Sequence, residues 1–214
     1  MKTGMSKRPV IKGLYAITPD EMDTAALLRK TRLVLQGGAQ VLQYRNKSAD
    51  AALRLQQAQA LRQLTREFDT SFIVNDDAQL AAQVEADGVH LGGEDGSVAA
   101  ARTLLGSTKL IGASCYNRIL LAHEVVRQGA DYVAFGAFFM SSVKPGAVRA
   151  DVALLKTARD ELHVPIVAIG GITQQNGASL IAAGADALAV ITALWNAPNI
   201  QTSAQEFSIL FSKA

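Results

Sequence analysis

The chain has 214 residues, 49% of them apolar and 6% aromatic, which suits one domain with a sizeable core and offers no platform for stacking bases. Its 21 basic and 19 acidic residues leave a net charge of +2 with no basic block, which argues against a nucleic-acid or membrane-surface partner. The single cysteine, Cys115, excludes an internal disulfide and suits a reducing cytoplasm.

No stretch reads as a membrane span. The most apolar window, Leu180 to Trp195, is short and is broken by Gly184 and Asp186. Residues 1–12 are basic without an apolar run, so they read as a flexible tail rather than a signal peptide, and 13–214 as one domain.

In chain order, strands are expected at Leu14–Thr18, Val41–Arg45, Phe72–Asn75, Gly88–Leu91, Leu110–Ser114, Tyr132–Gly136, Ile166–Gly170 and Leu188–Ile191. Between and after them, helices are expected at Thr24–Gln36, Ala51–Glu67, Ala78–Val84, Val98–Leu105, Leu120–Arg127, Val152–Glu161, Gln175–Ala182 and Ser203–Phe211. A small-residue turn recurs before the strands: Gly37-Gly38-Ala39-Gln40, Glu85-Ala86-Asp87-Gly88, Gly129-Ala130-Asp131 and Gly184-Ala185-Asp186. Its glycine sits where a helix C-cap takes a left-handed residue. Eight such strand–helix repeats close most naturally into a single (β/α)8 TIM barrel. A doubly wound open sheet is the runner-up, but Pro19-Asp20-Glu21 after the first strand lacks the glycines of a dinucleotide turn.

The stretch Phe72 to Asp95 organises the chemistry. Its two strands end in Asn75-Asp76-Asp77 and in Gly92-Gly93-Glu94-Asp95. As parallel neighbours they bring Asp76 and Asp95 to one edge, within reach of a single divalent cation of the Mg2+ type. The bland alternative is that Asp77 and Asp95 simply cap the helices that follow.

In a barrel the active site lies at the C-terminal ends of the strands. Those ends carry Gln43, Arg45, Asn46 and Lys47, then Asn75 and Asp76, then Asp95 and Ser114. The loop after the sixth strand carries Ser141, Ser142, Val143 and Lys144, and Gly170-Gly171 and Ile191-Thr192 follow the last two strands. The cations suit phosphate oxygens, and the glycines let a phosphate approach backbone N–H groups. Two anionic ligands are expected, one with the metal near strands two to four and one near strands seven and eight. Cys115 has no nearby histidine and reads as a packed thiol. His90 sits inside a strand and reads as structural, and His123 and His163 fall on helices away from the mouth. No metal-spaced histidine pair points to zinc.

At these residues the chain resembles the thiamine phosphate synthase family. The matching pieces are Gln43-Tyr44-Arg45-Asn46-Lys47, Asn75-Asp76-Asp77, Ala86 to Asp95, Ile111-Gly112-Ala113-Ser114 and Ala168-Ile169-Gly170-Gly171-Ile172. The resemblance implies a barrel transferase acting on phosphorylated heterocycles. It would join the diphosphate of 4-amino-5-hydroxymethyl-2-methylpyrimidine to a thiazole ethyl phosphate or its carboxylated form, with Mg2+. It further implies Asp76 and Asp95 as metal ligands. Gln43, Tyr44, Arg45, Asn46, Lys47, Asn75, Ser114 and Lys144 would form the pyrimidine-diphosphate site, with Arg45, Lys47, Ser114 and Lys144 acting in catalysis. Ser141, Ser142, Val143, Gly171, Ile191 and Thr192 would form the thiazole-phosphate site. Localisation is expected to be cytoplasmic, and association into a homo-oligomer is open.

The sequence departs from the family in one loop. Where the family reads Pro-Thr-x-Thr-Lys, this chain reads Met140-Ser141-Ser142-Val143-Lys144. Val143 gives up a hydroxyl, which costs about 1.5–3 kcal/mol if it bonds a charged group. Two further readings stay open: a barrel that isomerises the thiazole phosphate without coupling, and a non-catalytic protein that binds phosphorylated ligands.

Overall fold

The computed structural model describes residues 10–93, 96–140 and 148–212. Strands and helices alternate: β1 (Gly13–Ile17), α1 (Thr24–Gln36), β2 (Val41–Tyr44), α2 (Ala51–Glu67), β3 (Ser71–Asn75) and α3 (Ala78–Gln83). There follow β4 (Gly88–Leu91), α4 (Val98–Leu105), β5 (Leu110–Tyr116), α5 (Ile119–Arg127), β6 (Tyr132–Phe135) and α6 (Val152–Glu161). The last are β7 (Ile166–Ile169), α7 (Gly177–Ala182), β8 (Ala187–Val190), α8 (Thr192–Trp195) and α9 (Ile200–Leu210). The strands are parallel and close in sequence order, with β1 pairing β8. This is the (β/α)8 barrel expected from the repeats.

Two differences from the sequence reading have local causes. Helix α8 has four residues, too short to leave a periodic pattern. Strand β5 continues to Tyr116 because a register shift between Ser114 and Tyr116 inserts one residue against β6.

Strand alternation divides the core into two layers. Tyr15, Ile17, Val41, Ile73, Tyr132 and Val167 fill the barrel interior. Leu14, Leu42, Phe72, Val74, Ile111 and Leu188 face outward against the helices. Ile11, expected in the flexible tail, is 3% exposed in the interior layer, so the chain is anchored from there on. Gly112 makes room for the Tyr132 ring: a Cβ at that position would lie 2.0 Å from Tyr132 Cζ.

The repeated turn does more than end a helix. Asp87 accepts the N–H of Phe72 at 2.8 Å and both Arg62 Nη atoms, at 2.8 and 3.0 Å. Asp131 accepts the N–H of Ile111 at 2.8 Å and pairs with Arg102. Asp186 accepts the N–H of Ile166 at 2.7 Å and pairs with Arg159 at 2.7 Å. Each aspartate thus ties the start of one odd-numbered strand to an arginine of the helix before it. Gly129 and Gly184, at φ 102° and 113°, supply the left-handed turn residue, and Glu85 takes the same region at φ 53° without being glycine. These clamps stand at the strand starts, which leaves the opposite rim for the site.

Candidate active site

The loop after β2 is built on side chains that sequence reading passed over. Thr18 Oγ1 donates to the carbonyl of Arg45 and accepts the N–H of Arg45, both at 2.8 Å. Asp20 accepts from Arg45 Nη1 at 3.0 Å and from the Lys47 N–H at 2.9 Å. Arg45 and Lys47 are therefore presented by the residues that follow β1 rather than by their own strand alone. Asn46 is 5% exposed; its amide donates to the Glu21 carbonyl and Gln57 Oε1, while its oxygen accepts from Ser48 and Ala49 N–H groups. Tyr44 points outward and donates its hydroxyl to Gln57 at 2.9 Å. Asn46 and Tyr44, expected in the pyrimidine-diphosphate site, line the cleft at this rim while their side chains also hold the loop on α2.

Inward from that loop, Gln43 Nε2 donates to Asn75 Oδ1 at 3.0 Å. The next residue, Asp76, adopts a left-handed φ of 63°, a conformation aspartate tolerates better than most residues. Its N–H bonds the His90 carbonyl at 2.8 Å, so the turn out of β3 is stitched to β4. Asp77 is the N-cap of α3 and accepts the Leu80 N–H at 2.8 Å, as the bland alternative has it. The cap of α4 is Ser97, not Asp95. A cleft of about 430 Å3 opens here, lined by Arg45, Lys47, Arg54, Asn75, Asp76 and Gly96 among others. Arg54 is a cation that sequence reading left on a helix face. It sits in the first turn of α2, after the N-cap Asp50, a place that carries no strand-end signal.

Ser114 stands where β5 bulges, half-buried and two residues before the strand ends. Its Oγ lies 2.9 Å from His90 Nε2, His90 Nδ1 lies 3.1 Å from Tyr132 Oη, and Tyr132 Oη lies 2.9 Å from Tyr15 Oη. His90 is therefore structural in position, as its strand placement implies, yet it touches an expected site residue. Burial pushes both phenols well above their ordinary range. The next residue, Cys115, is buried and its thiol is pushed up to about 12 by burial, which fits a packed thiol. Tyr116, also missed from sequence, accepts the Gly93 N–H at 3.1 Å and so holds the loop after β4.

Gly170 and Gly171 have φ of 102° and 63° and lie under the loop after β6. A Cβ on Gly171 would come within 2.2 Å of the Met140 carbonyl oxygen. The Phe139 N–H bonds the Gly170 carbonyl at 3.0 Å, so the glycines let two loops run against each other. Ile191 is the N-cap of α8 and Thr192 its exposed first residue. Asp95, Ser141, Ser142, Val143 and Lys144 lie outside the described residues. Among the described residues, no cluster of three metal-ligating side chains occurs and no helix is long and apolar enough to cross a membrane.

The family described as thiamine monophosphate synthase matches residues 14–194. The chain is 58% identical over 204 residues to a thiamine-phosphate synthase of Methylobacillus flagellatus, covering 95% of this chain and 97% of that one. It is 50% identical over 200 residues to that of Thiobacillus denitrificans, covering 94% and 95%. Among solved structures, thiamine phosphate pyrophosphorylase from Pyrococcus furiosus superposes with a TM-score of 0.85 at 33% identity, covering 94% and 96%.

Proposed function

The chain belongs to the thiamine monophosphate synthase family, and from that premise we propose how its barrel mouth makes thiamine phosphate. The substrates are the aminopyrimidine methyl diphosphate and a thiazole ethyl phosphate; the products are thiamine phosphate and pyrophosphate. The observation that carries this reading is the cleft that gathers Arg45, Lys47 and Arg54 beside Asn75 and Asp76.

Arg45 and Lys47 bind the diphosphate, and Lys144 joins them from the loop after β6. Their charge stabilises the leaving pyrophosphate as the C–O bond breaks, because it is already in place before the bond breaks. Gln43 and Asn75, fixed to each other, keep one amide oxygen and one NH2 group to read the edge of the aminopyrimidine. That ring delocalises the methylene cation, and the thiazole nitrogen captures it. Gly171, Ile191, Thr192 and Ser141 to Val143 hold the thiazole phosphate, so positioning supplies much of the rate. No protein nucleophile takes part.

The donor chemistry at the rim fits a hard divalent cation. Asp76 is a half-buried carboxylate beside the cations, and Asp77 is taken by its cap. Asp76 and Asp95 would hold Mg2+, which when bound neutralises charge on the departing diphosphate. A lone cysteine, buried and kept as a thiol, supports a place in the reducing cytoplasm.

Mixing both substrates with Mg2+ and assaying for thiamine phosphate and pyrophosphate tests the reading. Isomerised thiazole phosphate without coupling, or binding without turnover, would overturn it.

A further inference from the structure

We propose that buried Tyr132, backed by Tyr15, fixes the tautomer of His90 and so makes Ser114 a hydrogen-bond donor to the ligand in the mouth. The inference deepens the reading above and rests on it for the identity of that ligand, the anionic diphosphate.

The argument is a count of hydrogens. Tyr15 and Tyr132 are 1% and 0% exposed, and their hydroxyls have no other hydrogen-bond partner among the described residues. Two contacts are available to them, Tyr15–Tyr132 at 2.9 Å and Tyr132–His90 Nδ1 at 3.1 Å. Each contact uses one hydrogen, and the two phenols supply both. A hydrogen on Nδ1 would make three hydrogens for two contacts and strand one in the apolar interior, a loss of roughly tenfold to hundredfold in population. So Tyr15 donates to Tyr132, Tyr132 donates to Nδ1, and the hydrogen of the imidazole sits on Nε2. Nε2–H then donates to Ser114 Oγ across 2.9 Å. The hydrogen of Ser114 is left over from the chain. Ser114 is half-buried two residues before the end of β5 and no other described residue takes that hydrogen, so it is available to a ligand in the mouth. Tyr132 is a positioning residue that acts through His90, and Tyr15 occupies the acceptor side of its hydroxyl.

The sequence contains three histidines, and replacing the surface residues His123 and His163 by Gln leaves His90 as the sole imidazole signal. In 15N NMR of that full-length chain, Nε2 is expected to give a protonated, pyrrole-type signal and Nδ1 an unprotonated, pyridine-type one. Tyr132→Phe keeps the ring and should mix the two tautomers while lowering kcat about tenfold. Its KM for the thiazole phosphate should stay put. Tyr15→Phe should leave the tautomer as it is, because Tyr132 still donates to Nδ1. An Nδ1–H or doubly protonated imidazole in the resting protein would overturn the proposal, as would a Tyr132→Phe variant with unchanged tautomer and kcat. The NMR signal needs no substrate, so an Nε2–H imidazole in a protein that fails to couple the substrates would support the relay and count against the assigned reaction.

Discussion

Asp20 holds Arg45: its Oδ1 accepts from Nη1 at 3.0 Å while the same oxygen accepts the Lys47 N–H at 2.9 Å. One carboxylate on the turn after β1 thus sets two cations on the loop after β2. Asp20→Ala should raise KM for the pyrimidine diphosphate about tenfold, or about 1.4 kcal/mol. The pair is partly exposed, with side chains 19% and 36% accessible, so thermal stability should hardly move. Steady-state kinetics beside a melting curve check both halves.

Asp76→Asn should lower kcat about a hundredfold and remove most of the response to added Mg2+. Asparagine tolerates the left-handed backbone of this turn, so the circular dichroism spectrum and melting point should match the parent. Chelation of the parent enzyme should abolish turnover and Mg2+ should restore it. Full Mg2+-dependent activity in the variant would remove Asp76 from the metal site.

Asp87→Ala should destabilise the fold by about 2–3 kcal/mol, because it strands the Phe72 N–H and the Arg62 guanidinium together. For a chain of this size that corresponds to a melting point lower by roughly 5–10 °C. Turnover per folded molecule should be unchanged, which activity normalised to native protein will show.

Cys115 should ignore thiol reagents at pH 8 in the native state. With the thiol pushed up to about 12, its thiolate fraction there is roughly one in ten thousand. Reaction should appear on adding denaturant, and rapid labelling of the native protein would contradict the burial.

The strands and the order of the barrel were legible because buried parallel strands are short apolar runs between small-residue turns. Gln43, Arg45, Asn75 and Asp76 were legible for the same reason: a polar residue directly after such a run must stand at the mouth. Asp20 and Arg54 were not, since their roles depend on contacts across elements and not on local pattern. Asn46 and Tyr44 line the cleft as well, and local pattern does not show their second contact. They share the strand end with Arg45, but strand alternation and the turn of the loop direct their side chains to Gln57 on α2. His90 read as structural because a strand position says nothing of what lies across a barrel. Its neighbours Tyr15 and Tyr132 come from strands far away in sequence.

The aspartate–arginine ties all grip the strand starts, and each binds a pair of neighbouring staves into a unit. Strength and chemistry therefore occupy opposite rims of the same cylinder. Loops at the reactive rim can be exchanged between relatives, or trimmed by an engineer, while the footing that keeps the cylinder round stays as it was.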